Sequence, residues 1–95
     1  MDREEAAEVA EGVIARLRSM SYDELVKRLL DEIEVEETVG ASGVTYQAEI
    51  EGRWDTGKPP ALMVIVGVDD GGFRSSFSPV NRSFIITSDG SFIGE

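Results

Sequence analysis

From Ile33 to Trp54 apolar and polar side chains alternate, and this period of two constrains the fold more than any other feature of the chain. Val44, Tyr46, Ala48, Ile50 and Trp54 interleave with Thr45, Gln47, Glu49, Glu51 and Arg53, as in a strand with one packed face and one wet face. Just upstream, Gly40-Ala41-Ser42-Gly43 reads as a four-residue hairpin loop. That loop pairs Val39 with Val44, Glu37 with Tyr46, Val35 with Ala48 and Ile33 with Ile50. The apolar members then share one face, so pattern and loop agree on a register.

Further strands follow. Ala61 to Val68 is apolar at both parities and rich in valine, as a central strand is. Asp69-Asp70-Gly71-Gly72 is a turn signal that pairs Val68 with Phe73 and Val64 with Phe77, with Pro79 closing that strand. Asp55 to Pro60, holding Gly57 and Pro59, reads as a loop. Phe84-Ile85-Ile86-Thr87 leads into Ser88-Asp89-Gly90-Ser91, after which Phe92-Ile93 folds back as a short strand or lies across the sheet. Ser-Phe-Ile occurs at 83–85 and again at 91–93, which reads as the two arms of one hairpin.

The N-terminal third has the other period. Ala6, Val9, Ala10, Val13, Ile14 and Leu17 follow the i, i+3, i+4 spacing of one helical face over 2–18. Asp2, Glu4 and Glu5 at its start and Arg16 and Arg18 at its end suit the helix dipole. Gly12 costs about 1 kcal/mol there relative to alanine, which points to fraying or to a close packing contact. Ser21-Tyr22-Asp23-Glu24 matches a capping box, with Met20 and Leu25 placed as a hydrophobic staple. Leu25, Val26, Leu29, Leu30 and Ile33 form the stripe of the segment 22–32. Two helices, or one kinked helix, satisfy the pattern.

Helices segregated before strands predict an α+β fold, with one or two N-terminal helices packed on one face of a four- to six-stranded antiparallel meander. At 95 residues the chain reads as a single domain over 1–95, helical over 2–32 and sheet over 33–95.

Composition removes much chemistry. Without cysteine or histidine, the chain has no disulfide, thiol nucleophile, imidazole base or Ser-His-Asp arrangement of its own. No apolar run approaches the ~20 residues that span a bilayer. Met1-Asp2-Arg3-Glu4-Glu5 does not resemble a signal peptide, so the expected location is cytoplasmic. A net charge of −10 disfavours nucleic acid and anionic membranes and favours a basic protein partner. Acidity also serves plain solubility. Asp69-Asp70-Gly71-Gly72 and Asp89-Gly90 lack the EF-hand pattern and read as turns rather than calcium loops. Gly71-Gly72 has no phosphate-loop Lys-Ser/Thr. No enzymatic activity, cofactor or metal is expected.

The expected register turns Glu34 and Glu36 to the wet face, opposite Glu49 and Gln47, with Glu51 continuing the patch. Like charges opposed across a ladder destabilise by roughly 0.2–1 kcal/mol per pair, so a face that gathers them invites a functional reading. An acidic edge that discourages strand pairing explains the same residues. Trp54 and Arg74, next to loops, are candidate binding anchors because such residues are enriched at hot spots. By parity, however, Trp54 belongs to the core.

Tyr46-Gln47-x-Glu49, Trp54-Asp55, Asp69-Asp70-Gly71-Gly72 and the ending Asp89-Gly90-Ser91-Phe92-Ile93-Gly94-Glu95 together resemble a small family of uncharacterised bacterial proteins, over about Ser21 to the C-terminus. The resemblance implies a bacterial, cytoplasmic protein and transfers no activity.

The sequence therefore supports a small acidic interaction module, in the manner of an adaptor, inhibitor or immunity protein. Glu34, Glu36, Glu49, Glu51, Trp54 and Arg74 would contact a basic partner. Two alternatives fit: a small-molecule or cation-binding domain with Trp54 and Tyr46 lining a helix–sheet cleft, and a structural homo-oligomer.

Overall fold

A computed structural model describes residues 2–55, 60–71 and 79–93. Two helices, α1 (Arg3–Arg18) and α2 (Tyr22–Leu29), precede five strands: β1 (Ile33–Val39), β2 (Thr45–Asp55), β3 (Ala61–Asp69), β4 (Val80–Ile86) and β5 (Phe92–Ile93). The strands form one antiparallel meander in the order β1-β2-β3-β4-β5. Both helices lie on the same face of it. This is the expected α+β architecture.

The helices start where their caps dictate. The Asp2 carboxylate accepts from the Glu5 amide at 3.1 Å, and Ser21 Oγ accepts from the Glu24 amide at 3.1 Å, each satisfying an otherwise unpaired N–H. Half of the capping box forms as expected. Glu24 itself accepts from Ser21 Oγ at 3.2 Å. The helices are separate, because Ser19 ends α1 and donates its hydroxyl to the Arg16 carbonyl at 2.6 Å. The second helix is shorter than its stripe. Leu30 is already extended and Asp31 has φ +60°.

The core lies between the helical layer and one sheet face. Ala6, Val9, Ala10, Val13, Ile14 and Leu17 of α1 and Leu25 and Leu29 of α2 pack on Tyr46, Ala48, Ile50, Leu62, Val64, Val66, Val68, Val80, Phe84 and Ile86. Gly52 lets α2 approach β2 closely, since a Cβ there would sit 3.1 Å from Leu29 Cβ and 3.2 Å from Leu62 Cδ1. The helices pack chiefly on β2, β3 and β4. β1 lies at the margin of their cover, with its helix-side residues Glu34, Glu36 and Thr38 half-buried.

Two expected pairings are corrected. Val68 pairs with Val80 and Val64 with Phe84, in place of Phe73 and Phe77, which lie outside the described residues. Pro79 directly precedes β4, a place where its missing N–H costs the ladder nothing; the strand expected to end at it lies outside the described residues. The second correction moves the whole first hairpin. Ile33 pairs with Glu51, Val35 with Glu49, Glu37 with Gln47 and Val39 with Thr45, one position away from the expected register.

The cause is the loop. The Gly43 amide donates to the Gly40 carbonyl at 2.9 Å, and the Gly40 amide donates to the Val44 carbonyl at 2.8 Å. Gly43 has φ +93°. This is a three-residue connection, Ala41-Ser42-Gly43, in which a turn is followed by a left-handed glycine. One loop residue fewer shifts the pairing by one and turns every β1 side chain over.

The last hairpin forms as one arm on the other, with Ile86 opposite Phe92 and Ile85 opposite Ile93. Gly90 turns at φ +88°, and Asp89 Oδ1 accepts from the Thr87 hydroxyl and from the Ser91 amide.

Candidate functional site

The slipped register redistributes the acidic residues. Glu34 and Glu36 turn to the helix side of β1, whereas Glu49 and Glu51 stay on the opposite face, so the expected single carboxylate patch does not form. Glu34 accepts from Arg28 Nε at 2.9 Å and Glu36 from Arg16 Nη2 at 2.7 Å. The Glu34 carboxylate and its hydrogen bond hold the Arg28 guanidinium above its ordinary pKa. Across the ladder Glu34 now faces Ile50 and Glu36 faces Ala48. The opposition of Glu34 to Glu49 is relieved, which removes a penalty of roughly 0.2–1 kcal/mol.

The register is tied at the loop by a knot of polar groups. Glu5, in the first turn of α1, accepts from the Ser42 amide at 2.9 Å, from Ser42 Oγ at 2.6 Å and from the Tyr46 hydroxyl at 2.8 Å. The hydroxyls of Ser42 and then Tyr46 hold the Glu5 carboxyl below its usual range. Burial first, and then the bond to Glu5, pushes the Tyr46 phenol up to about 12. Gly40 passes so close that a Cβ would lie 2.7 Å from Glu5 Oε1 and 2.9 Å from Tyr46 Cε2.

In exchange, Ile33, Val35 and Val39 emerge on the helix-free face at 63%, 59% and 65% exposure. They stand beside Glu37, Gln47, Glu49 and Glu51. Farther across, Ile65 and Asp69 of β3 complete a shallow basin of about 190 Å³ that runs from Ile33 past Glu49, Glu51 and Gly67 to Asn81. Arg53 lies 3.3 Å from Glu51. Glu37 and Glu49 form no ion pair among the described residues. The face is therefore an aliphatic strip interleaved with carboxylates.

Trp54 occupies the core side, as its parity requires, but at the rim, where it is 47% exposed. Its ring leans on Tyr22 at a centroid distance of 6.5 Å, and the Tyr22 hydroxyl donates to the Pro60 carbonyl at 3.1 Å. Arg74 lies outside the described residues. Tyr46 and Trp54 do not share a cleft. They sit at opposite ends of β2, about 26 Å apart at roughly 3.3 Å per residue, and Tyr46 is buried.

A groove of about 390 Å³ does separate α1 from β1, lined by Val9, Gly12, Val13 and Thr38 among others. The Arg16–Glu36 pair also lines it. No close packing contact explains Gly12, since nothing lies within 4 Å of the Cβ it lacks. Among the described residues no group of three or more acids is placed to hold a metal ion. Among the same residues no helix is long and apolar enough to cross a membrane.

Ile33, Val35 and Val39 are the β1 residues that alternation alone misassigns, and Val44, expected on the packed face, is also exposed at the end of the loop. The signal that places them is Gly43, the left-handed position of a three-residue hairpin loop. No protein-family profile, curated protein or solved structure matches this chain.

Proposed function

We propose that this chain is a small acidic interaction module that docks a basic and aliphatic protein surface on the helix-free face of its first hairpin. One observation carries the reading: three β-branched side chains of β1, each more than half exposed, stand among Glu37, Glu49 and Glu51. Isolated exposed aliphatics are ordinary, but three on one strand face, with Ile33 and Val35 adjacent and Val39 beyond Glu37, mark a contact surface. Interleaved carboxylates add steering toward a cationic partner and discrimination against anionic ones. The net charge of −10 acts in the same direction at long range. An adaptor, inhibitor or immunity-like role would use such a surface.

Affinity capture at low and moderate salt tests the reading. A partner held by the wild type should be lost by Glu49→Lys/Glu51→Lys and retained by Glu8→Lys, which alters the helical side. Its retention should weaken as salt screens the contact. A partner indifferent to the face variant would overturn the assignment.

A further inference from the structure

We infer that the partner binds as an added β-strand: an extended segment of alternating aliphatic and Lys/Arg residues, paired antiparallel along the free edge of β1. This rests on the docking surface proposed above and specifies its geometry.

β1 is the first strand of the sheet order, and no described strand lies outside it. The Gly40 amide bonds the Val44 carbonyl, and bonded and unbonded residues alternate along an antiparallel pair. Glu34, Glu36 and Thr38 therefore direct their backbone groups toward β2. Val35, Glu37 and Val39 direct theirs outward, where they make no hydrogen bond among the described residues. Edges of this length are commonly blunted by charged side chains, proline, a bulge or a covering element, and the charges of this one, Glu34, Glu36 and Glu37, repel acidic strands and admit a cationic one. β1, Ile33-Glu34-Val35-Glu36-Glu37-Thr38-Val39, has no lysine or proline and pairs without interruption along its whole length.

Side chains define the occupant. On the helix-free side an added strand meets Ile33, Val35 and Val39, each more than half exposed, which call for aliphatic neighbours and outnumber Glu37 on that side. On the helix side it meets Glu34 and Glu36. Each of these carboxylates is engaged by one arginine, Arg28 or Arg16, through a single oxygen, and a cation on the added strand joins that network. A second copy of this chain is the wrong occupant. Antiparallel self-pairing centred on Val35 sets Glu34 against Glu36, and centring on Glu36 or Glu37 sets that residue against its own copy. Like charges directly opposed destabilise, and each copy brings a net charge of −10.

The probe is a capped peptide of the length of β1, with valine and lysine alternating, added to the isotope-labelled full chain. Binding should slow amide exchange of Val35, Glu37 and Val39 by about tenfold or more, with little change at Glu34 and Glu36, whose amides already pair. Methylating the backbone nitrogens of one alternate set of peptide residues should abolish binding, and methylating the other set should not. Glu37→Pro, which removes an outward N–H, should weaken binding about tenfold, with Glu37→Gln as the charge control. Binding that ignores methylation parity but is lost in Glu49→Lys/Glu51→Lys would overturn strand addition and leave the docking face standing. Parity-dependent binding that survives Glu49→Lys/Glu51→Lys would support strand addition and remove the face. Equal binding of a valine–glutamate peptide, or protection of the same amides by self-association alone, would overturn the inference.

Discussion

The Tyr46 hydroxyl donates to Glu5 Oε1 at 2.8 Å across 41 residues of sequence, joining the start of α1 to the end of the first hairpin. Tyr46 is 1% exposed, so its polar tip needs that acceptor. The contact also fixes where the Ala41-Ser42-Gly43 turn can sit, because the same carboxylate binds Ser42 through both its amide and its hydroxyl.

The pH dependence of stability follows from these groups. A phenol raised to about 12 contributes stability that is complete below the ordinary value near 10 and is lost as pH rises toward 12. Glu5 and Asp89 are both lowered, Glu5 by Ser42 and Tyr46 and Asp89 first by the Thr87 hydroxyl. Their contribution is present above the ordinary carboxylate range and is lost as pH falls through their folded values. Tyr46→Phe should lower the melting temperature at neutral pH and flatten the alkaline limb. Tyrosinate absorbance should lose the late-titrating component that Tyr46 gives the wild type.

Two glycines should respond in opposite directions. Gly40→Ala drives a Cβ into Glu5 and Tyr46 and should cost about 1–3 kcal/mol as overpacking. Gly12→Ala fills open space on a helix and should stabilise by roughly 0.5–1 kcal/mol. Denaturant midpoints for the two variants check both signs.

The hairpin register can be read from stability alone. Val35→Thr on the exposed face should change stability by no more than about 0.5 kcal/mol. Ile50→Ala, in the core, should cost about 2–5 kcal/mol. Under the register in which Val35 packs inward beside Ala48, the threonine variant would also be strongly destabilised.

Salt should raise the melting temperature, because self-repulsion of a −10 chain is screened. Glu49→Gln should raise the melting temperature at low salt and reduce that salt response. Arg16→Gln should lower stability by at most about 1 kcal/mol, as expected for a surface ion pair whose arginine is half exposed.

Much of this architecture can be read directly from local pattern. The apolar positions of α1 at helical spacing all reach the core, Ser21 caps α2, and the valine-rich stretch is the central strand. These features depend on residues a few positions apart, which interact wherever the segment is placed. The last hairpin is legible for the same reason, through Asp89-Gly90. Alternation misplaces the strand after Asp70 because Phe73 and Phe77 repeat the spacing of Val80 and Phe84, and alternation does not say which copy of a pattern pairs.

The candidate surface needs tertiary structure. Alternation in β1 admits either face, and the rule that aliphatics turn inward fails where the strand lies at the margin of helical cover. What chooses between the faces is a contact set from distant sequence. Glu5 grips Ser42 and Tyr46, Gly40 fits beneath them, and Arg16 and Arg28 reach over to Glu36 and Glu34. Sequence by itself determined the buried face of α1, the cap that starts α2, the β2 and β3 strands and the acidity of the whole. Tertiary structure decided which side of β1 meets water, because a side-chain period of two admits both faces and the contacts that seat the Ala41-Ser42-Gly43 turn come from Glu5 of α1.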